Sequence, residues 1–194
     1  DVCSSDLAGV INLGLEGLML FGAFFGVLGS YLTGSAWLGV LLAVMAGGII
    51  GLLFGLVTLR YQANHVVAGV ALNLLGLGLT TVLLVAIWGN RGKSLDVAGI
   101  YPIYIPHLSD LPIIGELIFR QSPFFYLLII LTALSWFLFY RTKWGLRLRA
   151  IGENPAAVDS LGIPVFKYKY LAVVAGGMLA ALGGAYLSLG ELRD

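Results

Sequence analysis

Five long stretches of apolar residues, separated by shorter polar segments, dominate the pattern of the sequence. They cover residues 13–32, 37–59, 66–88, 124–140 and 170–189. Each has about the 20 residues that an α-helix needs to cross the hydrocarbon core of a bilayer. Because lipid offers the backbone no hydrogen-bond partners, helices are the natural way to satisfy such segments internally. The pattern predicts an all-α, polytopic transmembrane helical bundle with about five spans.

The composition supports a membrane protein and argues against most other classes. Hydrophobic residues make up 59% and charged residues 11% of the 194 residues, against about 25% charged residues in a soluble domain. The net charge of +1 gives no reason to expect a nucleic-acid partner. Cys3 is the only cysteine, His65 and His107 lack metal-ligand spacing, and no nucleophile–His–acid set is recognisable. We therefore expect no catalytic residues, no metal and no cofactor.

The positive charges predict which side of the membrane each loop faces. Six of the eleven Lys and Arg residues lie between the fourth and fifth apolar stretches: Arg141, Lys143, Arg147, Arg149, Lys167 and Lys169. Loops rich in Lys and Arg stay in the cytoplasm. The segment 141–169 is therefore predicted to be cytoplasmic, and the long loop 90–123 to be external.

Small residues recur at helical spacing within the predicted spans. The sets are Gly22 and Gly26; Gly47, Gly51 and Gly55; and Gly176, Ala180 and Gly184. Residues at this spacing share one helix face. Small side chains there let two membrane helices pack closely, so these sets predict helix–helix contacts.

The cytoplasmic segment contains a short helix with its own start and stop signals. Asn154 is a favourable N-cap, and Pro155 fits the first helical position. Gly162 stands where a left-handed C-terminal cap is expected, and Pro164 prevents the helix from resuming. A helix of about two turns is not stable alone. Either it docks a cytoplasmic partner through the face formed by Ala156, Ala157, Val158 and Leu161, or the segment is an interfacial loop whose basic residues bind anionic lipid.

Several motifs together resemble one family of membrane proteins. The segment GLRLRAIGENPAAVDSLGI and the later VVAGGMLAALGGAYLSLG resemble permease subunits of bacterial ABC importers for ribose, other simple sugars and nucleosides. The segments AGVINLGLEGLMLFGAFFG, NHVVAGVALNLLGLGLT and YPIYIPHLSDLPIIGELIFRQSP resemble the nucleoside branch more closely. The resemblance runs from about Ala8 to Gly190. The resemblance predicts that the chain is the permease of a nucleoside importer. The alternative is an importer of simple sugars or of an autoinducer. A secondary transporter or a membrane enzyme is less favoured.

The resemblance implies partners and a location. A permease of this kind lies in the bacterial plasma membrane as a multi-pass, non-catalytic subunit. It pairs with an identical or related second permease subunit, a separate ABC ATPase that hydrolyses ATP, and an extracytoplasmic substrate-binding protein. Its small-molecule substrate and the membrane lipid complete the expected partners. The coupling to the ATPase is inherited by the loop that contains Gly152, Glu153, Asn154, Pro155, Ala156, Ala157, Asp159, Gly162 and Ile163.

Members of the family are longer than this chain, so the chain is expected to contain only part of the permease. Residues 8–194 are expected to form a single, incomplete transmembrane permease domain. Residues 1–7, DVCSSDL, are expected to be a non-native segment because they fit neither a signal peptide nor the motif that follows. The alternative is that short polar termini such as these are ordinary.

Polar residues inside the predicted spans are candidates for the substrate pathway. His65, Gly69, Asn73, Gly76 and Thr80 follow one another at intervals of three or four residues and form a stripe along one helix face. Because lipid cannot satisfy polar groups, such a stripe faces the bundle interior or a watery cavity. It either lines the pathway or serves packing, with Asn73 in an interhelical hydrogen bond and His65 at the interface.

Asn12 and Glu16 form a second polar pair, one helical turn apart at the start of the first span. Asn12 can cap the helix, and Glu16 in the first turn is favoured by the helix dipole. This structural explanation needs no ligand. The family resemblance includes their motif, so a role in the substrate pathway stays open for both.

Overall fold

A computed structural model describes residues 13–89 and 123–191, and every element named below lies in those ranges. All of these elements are helical. They are α1 (Leu15–Thr33), α2 (Ala36–Gly55), α3 (His65–Trp88), α4 (Pro123–Arg141), α5 (Lys143–Glu153), α6 (Pro155–Ser160) and α7 (Val165–Tyr186). One π-helical turn extends α2 (Leu56–Arg60) and another extends α7 (Leu187–Glu191). The prediction of an all-α polytopic bundle is confirmed.

The predicted spans correspond to helices of suitable length. By length and composition, α1, α2 with its π turn, α3 and α7 with its π turn can each cross a membrane. The fifth candidate is a bent pair, in which α5 turns away from α4 by 71°. Helix α7 starts at Val165, five residues before the predicted span, because residues 165–169 contain neither proline nor glycine.

Three helices, α1, α2 and α7, form the closely packed centre of the bundle. Glycines let their backbones approach. A Cβ atom at Gly47 would lie 2.6 Å from the carbonyl oxygen of Gly177, and one at Gly51 would lie 3.3 Å from the Gly177 Cα atom. A Cβ at Gly22 would overlap the backbone of Ala181. The predicted small-residue faces therefore do bring the helices together.

Helix α3 packs mainly on α1 and touches α2 only slightly. Between α2 and α3 lies an apolar groove of about 710 Å³, with Phe21 and Phe25 of α1 among its lining residues. The groove shows that α3 diverges from the three-helix centre. Because α3 packs mainly on α1, the contacts of its polar stripe depend on which face of α3 is turned toward α1.

The amphipathic helix α5 was missed by the sequence analysis, which treated the segment as a basic loop. The hydroxyl oxygen of Thr142 accepts a hydrogen bond from the Gly145 amide at 3.3 Å and caps the start of α5. Leu148 and Ile151 are fully buried on its inner face. The available signals were Thr142 as an N-cap and apolar residues at 144, 148 and 151, spaced by four and three.

Candidate functional site

The short helix α6 has the local geometry that its sequence predicts. The side-chain oxygen of Asn154 accepts a hydrogen bond from the Ala157 amide at 3.1 Å, and Pro155 occupies the first helical position. At the other end, the Gly162 amide donates to the Asp159 carbonyl at 2.9 Å, and Gly162 has φ of +76°. A residue with a side chain is strained in that left-handed conformation, so the glycine is required to end the helix here.

Most of α6 is exposed, but one of its predicted contact residues points inward. Ala156 and Ala157 are exposed, and Leu161 just after the helix is 76% exposed. Val158 is only 5% exposed and packs with Ile151 of α5 and Val165 of α7. The prediction that Val158 belongs to the docking face was wrong. Its burial instead fixes α6 to the rest of the chain, which the short helix needs for stability.

A cleft of about 700 Å³ lies beside α6 and brings together segments that are far apart in sequence. Its walls are the end of the π turn after α2 and the start of α3 (residues 58–66), the exposed start of α6, and the first turn of α7. We call this space the inner cleft, because the loop that follows α2 and the basic segment 141–169 meet there at one end of the bundle. The structure therefore places the loop that follows α2 on the same side as the segment 141–169, which is predicted to be cytoplasmic.

Polar and charged side chains of both signs line the inner cleft. His65 from α3, Asp159 from α6 and Lys169 from α7 all contribute to its walls. Within the described residues, the Nδ1 atom of His65 is covered and has no hydrogen-bond partner. His65, predicted for the substrate pathway, therefore shares this space with Asp159, predicted for coupling to an ATPase.

The cleft also contains residues that the sequence analysis did not single out. Gln62 has φ of +52°, which is uncommon for a residue other than glycine, asparagine or aspartate. Lys169 and Phe166 of α7 lie on the opposite wall. No local signal marks Gln62, whereas Lys169 was counted only as part of the positive charge of the loop.

The remaining predicted coupling residues lie around the ends of α5 and α6. Glu153 at the end of α5 is exposed, and Gly152 is half-buried. Ile163 is half-buried and packs against the cluster that contains Val158. These three residues hold or flank α6, while Pro155, Ala156 and Asp159 border the inner cleft.

The polar stripe of α3 contacts the start of α1. The Asn73 side-chain oxygen accepts a hydrogen bond from the Gly17 amide at 2.8 Å, and its amide nitrogen donates to the Leu13 carbonyl at 3.0 Å. Gly69 and Gly76 permit this approach, since a Cβ at Gly76 would lie 3.0 Å from the Gly17 Cα atom. The residue that precedes α1, Gly14, has no capping side chain. Asn73 therefore serves as a cap for α1 from another helix.

The other predicted pathway residues have different environments. Thr80 is buried, and its hydroxyl donates to the Gly76 carbonyl of its own helix at 2.6 Å. Glu16 is exposed in the first turn of α1, as expected for a carboxylate favoured by the helix dipole. Asn12 lies outside the described residues. A role of any of these residues in the pathway stays a prediction.

Replacing Asn73 by leucine is expected to destabilise the contact between α1 and α3. The change leaves the Gly17 amide and the Leu13 carbonyl without their partner, at a cost of about 1–3 kcal/mol. Thermal unfolding in detergent measures the effect, with Thr81→Val as the control. Among the described residues, the Thr81 hydroxyl bonds only the Leu77 carbonyl of its own helix. Transport that falls without any loss of thermal stability would contradict this and favour a pathway wall.

Comparison with known proteins gives a consistent set of relatives. The chain is 38% identical over 187 residues to the guanosine ABC transporter permease of Bacillus subtilis, an alignment of 93% of this chain and 59% of that protein. It is 35% identical over 188 residues to the nucleoside ABC transporter permease of Lactococcus lactis, covering 93% of this chain and 59% of that protein. A Haloferax volcanii protein named "Putative glucose ABC transporter permease protein" is 39% identical over 189 residues, covering 95% and 56%.

The chain thus spans less than two thirds of the length of these relatives. No solved structure matches it. Residues 5–191 match the family described as "Branched-chain amino acid transport system / permease component". The resemblance to importer permeases is confirmed, and the apolar helices agree with a multi-pass protein of the plasma membrane. The chain belongs to this family of transport-system permease components.

Proposed function

We propose that the chain is part of the permease subunit of an ABC importer and helps to form a membrane pathway for nucleosides. Two relatives whose names specify guanosine and nucleosides, each aligned over 93% of the chain, support this substrate class. Hydrolysis of ATP would be carried out by a separate cytoplasmic subunit. An extracytoplasmic binding protein and a second permease subunit, identical or related, would complete the transporter.

The observation that carries the proposal is the exposed, capped helix α6 at the end of the bundle where positive charge collects. Its side chains Ala156 and Ala157 are small and exposed, and Leu161 adds a larger apolar contact. A short helix with this surface suits a groove on the ATPase, since helices in grooves are a common mode of recognition. The proposed docking residues are Gly152, Glu153, Asn154, Pro155, Ala156, Ala157, Asp159, Gly162 and Ile163.

Movement of the ATPase would reach the bundle through two sides of α6. Val158 packs with Val165 at the start of α7, so a displacement of α6 would press directly on that helix. On its other side α6 borders the inner cleft, which separates it from His65 at the start of α3. Opening or closing the cleft would therefore shift α3 relative to α7. Such a two-state change, favoured from one face by ATP and from the other by the loaded binding protein, is the expected mode of import.

The proposed pathway residues are Asn12, Glu16, His65, Asn73 and Thr80. The polar face of α3 carries three of them, and lipid would not satisfy polar side chains there. In the chain described, Asn73 bonds the backbone of α1. A pathway role therefore requires that α1 and α3 together form the wall, with the contact that Asn73 makes lying within it.

Uptake of labelled guanosine by cells that produce the complete transporter tests the substrate class. We expect unlabelled nucleosides to inhibit this uptake and glucose in large excess to leave it unchanged. A site that hydrogen-bonds a base edge loses much of its affinity for a ligand without one, because its buried polar groups stay unpaired. Cells that lack the ATPase provide the control and should show no uptake.

A sugar importer is the second candidate. It is favoured by the Haloferax volcanii relative, whose printed name gives glucose and whose identity of 39% is similar to that of the guanosine permease. Uptake of labelled glucose that depends on the ATPase, with no uptake of labelled guanosine, would replace the nucleoside assignment by this one. Either result leaves the proposed docking of the ATPase on α6 unchanged.

A further inference from the structure

Aromatic side chains lie exposed at the end of α4, just before the chain bends into α5. Trp136 and Tyr140 are one helical turn apart and are 56% and 59% exposed. Their ring centroids lie 6.4 Å apart. Trp and Tyr are enriched where membrane helices reach the headgroups, because each has a largely apolar ring system with one polar N–H or O–H group. This end of α4 therefore marks the level of the membrane interface.

A basic side chain is held against this aromatic pair. The guanidinium carbon of Arg149 lies 5.0 Å from the centroid of the Tyr140 ring, a cation–π contact. Its Nε atom is covered and has no hydrogen-bond partner among the described residues. Leu146, three residues earlier on the same side of α5, is 63% exposed. A cation and a large apolar side chain are thus presented together beside the aromatic rings.

Two further cations stand at the bend. Arg141 and Lys143 are exposed on either side of Thr142, and the described part of the chain places no carboxylate within ion-pair distance of them or of Arg149. The acidic residue Glu153 lies one turn beyond Arg149 at the far end of α5. Helix α5 leaves the α4 axis at 71°, so it can lie along the membrane surface when α4 crosses the bilayer.

We propose that this elbow surface, formed by Trp136, Tyr140, Arg141, Lys143, Leu146 and Arg149, binds the headgroup of an anionic phospholipid of the inner leaflet. Three cations that have no carboxylate partner among the described residues match a lipid phosphate in charge. The exposed Leu146 and the aromatic rings suit the upper acyl chains, and an acidic protein surface would leave them in water. The inference depends on the cytoplasmic placement of the loop and is independent of ATPase docking on α6.

Native mass spectrometry of the purified 194-residue chain tests this proposal. The protein is equilibrated with equal amounts of phosphatidylglycerol and phosphatidylcholine that carry the same acyl chains, and the ratio of the two bound lipids is measured. We expect the chain to retain phosphatidylglycerol preferentially. Arg149→Gln should lower the ratio about fivefold, the effect of one cation near an anionic surface.

Arg147→Gln is the matched control. Arg147 lies on the other flank of α5, where its guanidinium donates a hydrogen bond to the Tyr168 hydroxyl at 2.9 Å. The control removes the same charge, so the lipid ratio should stay within about twofold of the unaltered chain if the elbow surface is the site. If Arg149→Gln fails to fold, the pair Arg141→Gln and Lys143→Gln should lower the ratio in its place, because both side chains are exposed.

Three results would overturn the proposal. One is equal retention of the two lipids by the unaltered chain. Another is an equal effect of Arg147→Gln and Arg149→Gln, which would mean diffuse attraction to positive charge. The third is an unchanged lipid ratio in Arg149→Gln. If the same variant of the complete transporter also loses the ATPase on co-purification, the surface binds an acidic protein partner instead.

Discussion

Replacing Gly184 by alanine is expected to destabilise the bundle strongly, whereas the same change at Gly183 is expected to be tolerated. A Cβ atom at Gly184 would overlap the carbonyl oxygen of Met19 and lie 3.0 Å from the Ala23 nitrogen. Both are backbone atoms of α1, so no side chain can rotate away. At Gly183 the nearest atom is the Met19 Cε at 3.9 Å, the far end of a flexible side chain.

The two substitutions add the same methyl group to neighbouring positions of one helix, so their difference isolates packing. Overpacking costs about 1–3 kcal/mol and sometimes more, and a rigid backbone contact belongs at or beyond the upper end. That is a large part of a total stability of about 5–15 kcal/mol. Gly183→Ala should be neutral or slightly stabilising, since alanine favours a helix by about 0.5–1 kcal/mol over glycine.

The yield of monodisperse protein in detergent and its thermal unfolding measure both variants. We expect Gly184→Ala to be recovered mainly as aggregate and Gly183→Ala to unfold at or slightly above the temperature of the unaltered chain. Similar unfolding temperatures for the two variants would mean that α1 and α7 do not approach as closely as described. The contact at Gly22 and Ala181, on the same pair of helices, would then be in doubt as well.

Interactions within a helix or between its ends were predictable from sequence, because the residues that make them are near neighbours in the chain. Asn154, Pro155 and Gly162 define α6 as expected. The spacing of small residues likewise indicated which faces pack. Helical spacing and capping involve residues close together in the chain, so a single sequence is enough to predict them.

Features that depend on distant segments were not predictable in the same way. The inward orientation of Val158 depends on Ile151 and Val165 lying beneath it. The inner cleft exists because the start of α3 and the start of α6 meet at one end of the bundle. The polar stripe of α3 depends on a distant segment in the same way. Its helical face was predicted, but the partner of Asn73, a helix start 56 residues earlier, was not.

Introducing glutamate at Ala157 is expected to abolish import while leaving the permease folded. The Ala157 side chain is exposed on α6, and only its amide takes part in the N-cap with Asn154. The added carboxylate therefore disturbs nothing within the chain. In an ATPase groove shaped for a small residue it would be buried without a partner, which costs several kcal/mol. We expect nucleoside uptake to fall at least a hundredfold, since a loss of about 2.8 kcal/mol in binding free energy suffices for that.

Ala150→Glu provides the comparison for that result. Ala150 is also exposed and helical, on α5 before the proposed docking residues, and the change adds the same charge to the same loop. Uptake and co-purification of the ATPase should both survive in Ala150→Glu and both fail in Ala157→Glu, with equal amounts of each variant in the membrane. If the ATPase stays bound to Ala157→Glu and uptake continues, α6 is not the point where the motor engages. If both variants lose uptake equally, the added charge on the loop causes the loss, and its placement on α6 does not. Because the two residues differ in place and share their chemistry, the pair separates docking on α6 from a general effect on the cytoplasmic surface.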